Sequence, residues 1–208
     1  MCGIAGLIHK GKTVNIGKEL QDMLQALKHR GPDSTGYALY GEGESDNYIM
    51  RFKVGENVKE GSTAVNEDKS VYSERRKQVD QHIRDLGANI LQDQQLTPYS
   101  FRYVIKYDKD LMEFSKRIES VEMTEILSLG KTLELVKDIG DATAVSKQYG
   151  LDKIKGTHAI GHSRMATESG VDIRSAHPFW GYPFSDVSVV HNGQLTNYWN
   201  NRRSLENK

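Results

Sequence analysis

Met1-Cys2-Gly3-Ile4-Ala5-Gly6-Leu7-Ile8 opens the chain, and the reading of the rest turns on it. Cys2 is the sequence's one cysteine. Removal of Met1, which a small second residue permits, leaves a cysteine bearing both a thiol and a free α-amine. Such an amine has a reference pKa of roughly 7.7–8.0, so part of it is unprotonated near neutrality. One residue then supplies a nucleophile and its general base, a known way of activating a nucleophile. The apolar run from Gly3 to Ile8 reads as a buried strand that anchors the terminus in a core. A lone cysteine near a terminus is more often a bystander, so the reading depends on partners elsewhere.

A length of 208 residues suits one domain with a genuine core. Lys plus Arg and Asp plus Glu are 28 each, so the formal net charge is zero. That removes any global case for a nucleic-acid or anionic-membrane partner. A single cysteine excludes an internal disulfide and fits a reducing compartment. The sequence shows no basic-then-apolar leader and no run of membrane-spanning length, so a cytoplasmic protein is expected.

Working outward, Ile16, Leu20, Met23, Leu24 and Leu27 fall on one helical face. The helix runs into His29-Arg30-Gly31-Pro32-Asp33-Ser34-Thr35-Gly36, whose glycine, proline and aspartate impose a loop. Tyr37 to Tyr40 and Tyr48 to Val54 read as strands. Between residues 55 and 156 the pattern is ordinary α+β. Val79, Ile83, Leu86 and Ile90 mark a helix, and Phe101 to Tyr107 a strand. Leu111, Phe114 and Ile118 mark a helix starting behind Asp108 or Asp110. Val121 to Leu129 and Thr132 to Ile139 read as strands, and Ala142 to Tyr149 as a helix stopped by Gly150. No strong motif lies in this block, which reads as an elaboration of the domain or a partner surface.

Chemistry-bearing residues return in Gly161-His162-Ser163-Arg164-Met165-Ala166-Thr167, in Ala176-His177-Pro178-Phe179 and in Val190-His191-Asn192-Gly193. Thr196 then begins a helix with Trp199 on its apolar face. The spacing of His158, His162, His177 and His191 matches no strong metal-ligand pattern, so these read as structural polar residues. Asn192-Gly193 is also the dipeptide of a type I′ hairpin turn, and that reading stays open beside a catalytic one. Gly41-Glu42-Gly43 lacks the context of a phosphate loop.

Cys2-Gly3-Ile4, His29-Arg30-Gly31-Pro32-Asp33, the Gly161–Thr167 stretch and His191-Asn192-Gly193, in that order, resemble the class II glutamine amidotransferases. The resemblance covers roughly the first 40 and last 50 residues. It implies a four-layer αββα N-terminal-nucleophile fold, here with a mid-chain α+β insertion over 55–156, within a single domain spanning 1–208. It implies that Cys2 attacks the glutamine side-chain amide while its own α-amine shuttles the proton. Asn192, by its side chain, and Gly193, by its N–H, then stabilise the oxyanion. Loss of one such donor typically costs about 2.7–4 kcal/mol in the transition state. Arg164 clamps the α-carboxylate, where a planar fork outperforms lysine. Thr167 adds a contact to the same end, and Arg30 and Gly31 line the pocket.

The family's aspartate for the glutamine α-amino group has no counterpart in a matching motif before Lys208, so the domain is expected to lack its C-terminal part. Glu168 stands where some members carry histidine. The long middle block resembles the glutamate synthases, and the length resembles the amidotransferase subunit of N-methylglutamate synthase. The implied partners are glutamine and synthase subunits in a hetero-oligomer. Flavin and iron–sulfur clusters belong on those subunits, since one cysteine cannot hold a cluster. Alternatives are the amidotransferase part of an asparagine synthetase or of an amidophosphoribosyl- or aminosugar-forming enzyme, and a non-catalytic glutamine-sensing module.

Overall fold

The computed structural model describes residues 2–31, 33–43, 46–56, 69–165, 173–193 and 195–207. The chain begins with β1 (Gly3–Ile8), α1 (Ile16–Ala26), β2 (Ser34–Gly41) and β3 (Tyr48–Lys53). Its middle builds α2 (Lys69–Asp85), β4 (Asn89–Gln95), β5 (Ser100–Lys106), α3 (Leu111–Glu119), β6 (Glu125–Gly130), β7 (Leu133–Ile139) and α4 (Ala142–Tyr149). β8 (Gly156–Arg164), β9 (Phe179–Trp180), β10 (Ser188–Val189) and α5 (Tyr198–Glu206) follow.

Local chemistry sets the helix ends. Asn15, Asp110 and Asp141 each accept a hydrogen bond from a first-turn N–H of α1, α3 and α4, at 3.2, 2.8 and 2.9 Å. These bonds satisfy donors that a helix start leaves without an internal partner. Gly150, at φ +64°, closes α4 in the left-handed conformation that glycine adopts without strain.

The strands form two antiparallel four-stranded sheets, ordered β1-β8-β2-β7 and β4-β5-β3-β6, with β9 and β10 as a separate short pair. The architecture is mixed α+β. α1 and α4 bury Ile16, Leu20, Leu24, Val145 and Tyr149 against Tyr37, Leu39, Val136 and Ala159 of the first sheet. α2 and α3 bury Val79, Ile83, Phe114 and Ile118 against Phe52, Phe101, Tyr103 and Ile105 of the second. A third cluster, Ala38, Leu127, Leu133 and Leu135 with Tyr40, Ile160 and Trp180, joins strands of both sheets. Truncating one buried leucine such as Leu20 to alanine is worth about 2–5 kcal/mol.

Buried charges cross between the sheets as well. Arg51 of β3 and Arg102 of β5 both donate to Glu134 of β7, each from Nε at 2.8 Å. Burial alone would raise the Glu134 carboxyl, but the two guanidinium groups outweigh it and hold its pKa down to about 2. Lys53 and Lys137 share Glu125 at 3.0 and 3.1 Å. Asp138 accepts from the hydroxyls of Tyr99 and Tyr149, both at 2.7 Å.

Four expectations are corrected. β1 is an edge strand, not a strand buried on both faces: Ala5 is buried, while Ile4 and Ile8 are 41% and 75% exposed. α2 ends at Asp85, so Leu86 lies in a turn and Ile90 in β4, a strand too polar to show a period. Residues 121–124 form a turn before β6, with Met123 at φ +57°. α5 begins at Tyr198, and its Trp199 is 66% exposed. Among the described residues no helix is long and apolar enough to cross a membrane.

Candidate active site

The site is set by the register of the first sheet. Gly3 pairs with Ser163 and Ile4 with His162, so Cys2, one step earlier, stands level with Arg164. On the other side of β8, Ser34 of β2 pairs with Arg164 and Gly36 with His162. Cys2 is half-buried, with its Sγ 4.0 Å from the carbonyl of Met165. Arg164 is 7% exposed. The sheet thus brings a thiol and a buried guanidinium to the same end of adjacent strands.

Arg30 ends a single 3-10 turn, Lys28–Arg30, and is half-buried. Gly31 follows and is buried against β8, where an added Cβ would lie 2.6 Å from the Ser163 carbonyl and 2.5 Å from the Arg164 carbonyl carbon. The Asp33 N–H donates to the Arg164 carbonyl at 3.1 Å. The loop at 30–33 is therefore laid along the backbone that carries Arg164.

Asn192 arrives from the far end of the chain. Its Nδ2 donates to the Cys2 carbonyl at 3.0 Å. The hairpin-turn reading of Asn192-Gly193 fails, because a type I′ turn needs positive φ at both central residues. Asn192 is not among the positive-φ residues, whereas Gly193 is, at +154°. No strand follows Gly193 among the described residues; the chain goes on into α5. Gly193 and Asn192 are exposed, and Gly193 lines an open cleft of about 1390 Å³ with His177, Phe179, His191 and Trp199. Thr167 lies outside the described residues.

Behind Asn192 the structure gathers residues that sequence reasoning treated as separate polar positions. The rings of His162 and His177 are 4.9 Å apart, and those of His177 and His191 are 6.4 Å apart. His177 Nδ1 accepts from the His191 N–H at 3.2 Å. His162 is 1% exposed, and among the described residues neither ring nitrogen has a hydrogen-bond partner of good geometry. Burial, with Arg164 and His191 nearby, pushes its pKa down to about 4 against the weaker pull of the His191 backbone. His177 is also pushed down to about 4, by burial first and then by His162, Lys137, His191 and Arg164. Both imidazoles are thus neutral near pH 7. Among the described residues no group of three or more His, Cys, Asp or Glu could hold a metal ion. Sequence singled out these histidines but not their meeting, since nothing local places Ala176-His177-Pro178 over β2.

A further anchor holds the segment leading to Asn192. Asp186 accepts from the N–H groups of Lys131, Thr132 and Leu133 at 3.2, 2.7 and 2.8 Å. It also accepts from Thr132 Oγ1 at 3.0 Å. Burial alone would raise this carboxyl; the N–H donors outweigh it and lower its pKa.

No family model matches the chain. Among known proteins it is 36% identical over 213 residues to the "Putative glutamine amidotransferase" of Methanothermobacter thermautotrophicus, across 100% of this chain and 66% of that protein. It is 30% identical over 216 residues to the glutamine amidotransferase-like protein GlxB of Rhizobium meliloti, across 99% of this chain and 62% of that one. A shorter match, 37% over 81 residues, is to amidophosphoribosyltransferase 2 of Arabidopsis thaliana and covers 38% of this chain. The chain therefore has glutamine amidotransferase-like homologues, and it spans less than two thirds of the length of the two it matches throughout.

Proposed function

We propose that this chain is the glutamine-hydrolysing part of an amidotransferase and that Cys2 is its N-terminal nucleophile. The observation that carries the reading is the Asn192 Nδ2 bond to Cys2, which unites the first and last of the four motifs. Homologues named for glutamine amidotransfer support it. The placement of α1 and α4 on one sheet and α2 and α3 on the other supports the four-layer αββα N-terminal-nucleophile fold.

With Met1 removed, the α-amine of Cys2 takes the thiol proton as Sγ attacks the glutamine amide carbon. Asn192 Nδ2 and the Gly193 N–H stabilise the oxyanion that forms. The amine returns the proton to the departing nitrogen, which leaves as ammonia, and water hydrolyses the γ-glutamyl thioester to glutamate. Arg164, with Thr167, holds the α-carboxylate, and Arg30 and Gly31 form the pocket wall. The ammonia passes to a synthase subunit of the glutamate synthase or N-methylglutamate synthase kind, where flavin and iron–sulfur clusters reside. A second reading, the amidotransferase part of an amidophosphoribosyl-forming enzyme, is favoured by the shorter plant match.

The test is intact-mass and peptide mapping after treatment with diazo-oxo-norleucine. Labelling on Cys2 of a Met1-less chain, suppressed by excess glutamine and absent in Cys2→Ala, is the expected result. Glutamine hydrolysis that survives Cys2→Ala overturns the mechanism. Co-purification of the native chain with a synthase subunit, or its fusion to a phosphoribosyl-transfer domain, decides between the two readings.

A further inference from the structure

We infer that His177 is a positioning residue for the oxyanion pair: seated on Gly36, its imidazole holds the His191 N–H and so fixes the segment that brings Asn192 to Cys2. The inference rests on the glutaminase reading above and deepens it.

The seat is built into the sheet. Gly36 of β2 is paired with Lys137 of β7 on one side and His162 of β8 on the other. With a side chain on both flanks and none at Gly36, the row across the sheet has a notch. The His177-Pro178 backbone fills it, because a Cβ at Gly36 would lie 2.0 Å from the His177 carbonyl oxygen and 2.7 Å from Pro178 Cδ. Any side chain at position 36 would lift the segment off the sheet.

The ring is held from two directions. His162 lies 4.9 Å from it, and Phe179 meets it edge-on at 4.5 Å. Phe179 in turn lies under the Lys137 ammonium, 4.6 Å from Nζ to the ring centroid. From this fixed ring Nδ1 accepts the His191 N–H at 3.2 Å, and the next residue, Asn192, reaches Cys2. An Nδ1 that accepts must be unprotonated, which the lowered His177 pKa secures. Asn192 is itself exposed, so its aim depends on what fixes its backbone.

The experiment compares wild type, His177→Ala and His177→Asn for glutamine hydrolysis and for hydrogen exchange at the His191 amide. Asparagine places Oδ1 where histidine has Nδ1, so it retains the acceptor and removes the rest of the ring. His177→Ala is expected to lower kcat by about 10- to 100-fold with KM little changed, the signature of a displaced donor rather than a lost substrate contact. The His191 amide should exchange faster in the same variant, and His177→Asn should restore much of both. An active His177→Ala enzyme with normal kcat, a change confined to KM, or an asparagine variant no better than alanine each overturns the inference. Should wild type itself fail to hydrolyse glutamine, the glutaminase reading fails. The exchange data still decide whether His177 holds His191, and they do so in the asparagine variant even where alanine unfolds the chain.

Discussion

Asn192 and Cys2, 190 positions apart in the chain, meet through a hydrogen bond of 3.0 Å from the side-chain amide of one to the backbone carbonyl of the other. In the glutaminase reading the same amide serves the oxyanion, so the resting contact holds the donor beside the atom that reacts. Asn192→Ala should reduce kcat/KM for glutamine by about 10²- to 10³-fold, as loss of an oxyanion donor does elsewhere. Asn192→Asp should do no better, because it replaces a donor by a negative charge. Steady-state ammonia release checks both, and an alanine variant within a few-fold of wild type excludes the role.

Arg164 is 7% exposed and level with Cys2 on the neighbouring strand. A lysine there keeps the charge and loses the planar fork that pairs with a carboxylate. Arg164→Lys should raise KM for glutamine by about 10-fold or more, with a smaller effect on kcat. A glutamine titration of initial rates measures this. An unchanged KM would remove Arg164 from the pocket.

Glu134 holds Arg51 and Arg102 together across the two sheets. Glu134→Gln leaves the buried Arg51 and the half-buried Arg102 guanidinium groups without their carboxylate and should destabilise the fold by about 3–5 kcal/mol. The folded carboxyl titrates near 2, below the ordinary value of about 4.3. Its stabilisation is therefore complete above about pH 4.3 and is lost as pH falls toward 2. Urea unfolding at pH 7 and pH 3 should show the wild-type advantage over Glu134→Gln shrinking at the lower pH. An advantage that stays constant would place the stabilisation in packing rather than charge.

His162 and His177 stay neutral in the fold down to about pH 4, whereas unfolded histidine takes up protons below about pH 6.5. The unfolded chain thus binds more protons across that window, and stability falls as pH drops from about 6.5 to about 4. The urea midpoint should decline between pH 7 and pH 5, and less so in His177→Asn. Equal slopes in the two proteins would mean that His177 does not titrate with unfolding.

Much of this was legible in sequence where the chain obeys local rules. A helix starting behind Asp108 or Asp110, and one from Ala142 stopped at Gly150, were readable locally; the structure selects Asp110 as the first cap and adds Asp141 as the second. β4 was hidden because Asn-Ile-Leu-Gln-Asp-Gln-Gln lies at an exposed sheet edge, where no apolar alternation is required. The exposure of Ile4, Ile8 and Trp199 was equally hidden, since residue type does not say which face of an element receives a neighbour. At the site, Cys2, Arg164 and Asn192 stood out as members of motifs. His177 stood out only as a polar residue in a short stretch and Gly36 only as part of a loop; their relation is one of contact between distant segments and leaves no spacing to read. Asp186 was silent for the same reason, because its partners are backbone N–H groups of residues 131–133.

The strand order β1-β8-β2-β7 also bears on how the chain is born. β1 and β2 leave the ribosome early, but they are not neighbours; the strand that separates them, Gly156–Arg164, emerges last of the four. At synthesis rates of about 5–20 residues per second, β1 waits on the order of 10–30 seconds for its pairing partner. Throughout that interval the nascent chain carries an unpaired strand with Ile4, Leu7 and Ile8 beside its thiol, an invitation to chaperones. Cys2 thus has no Arg164 and no Asn192 near it until those residues have been made, so in the glutaminase reading the site cannot form before its sheet has closed.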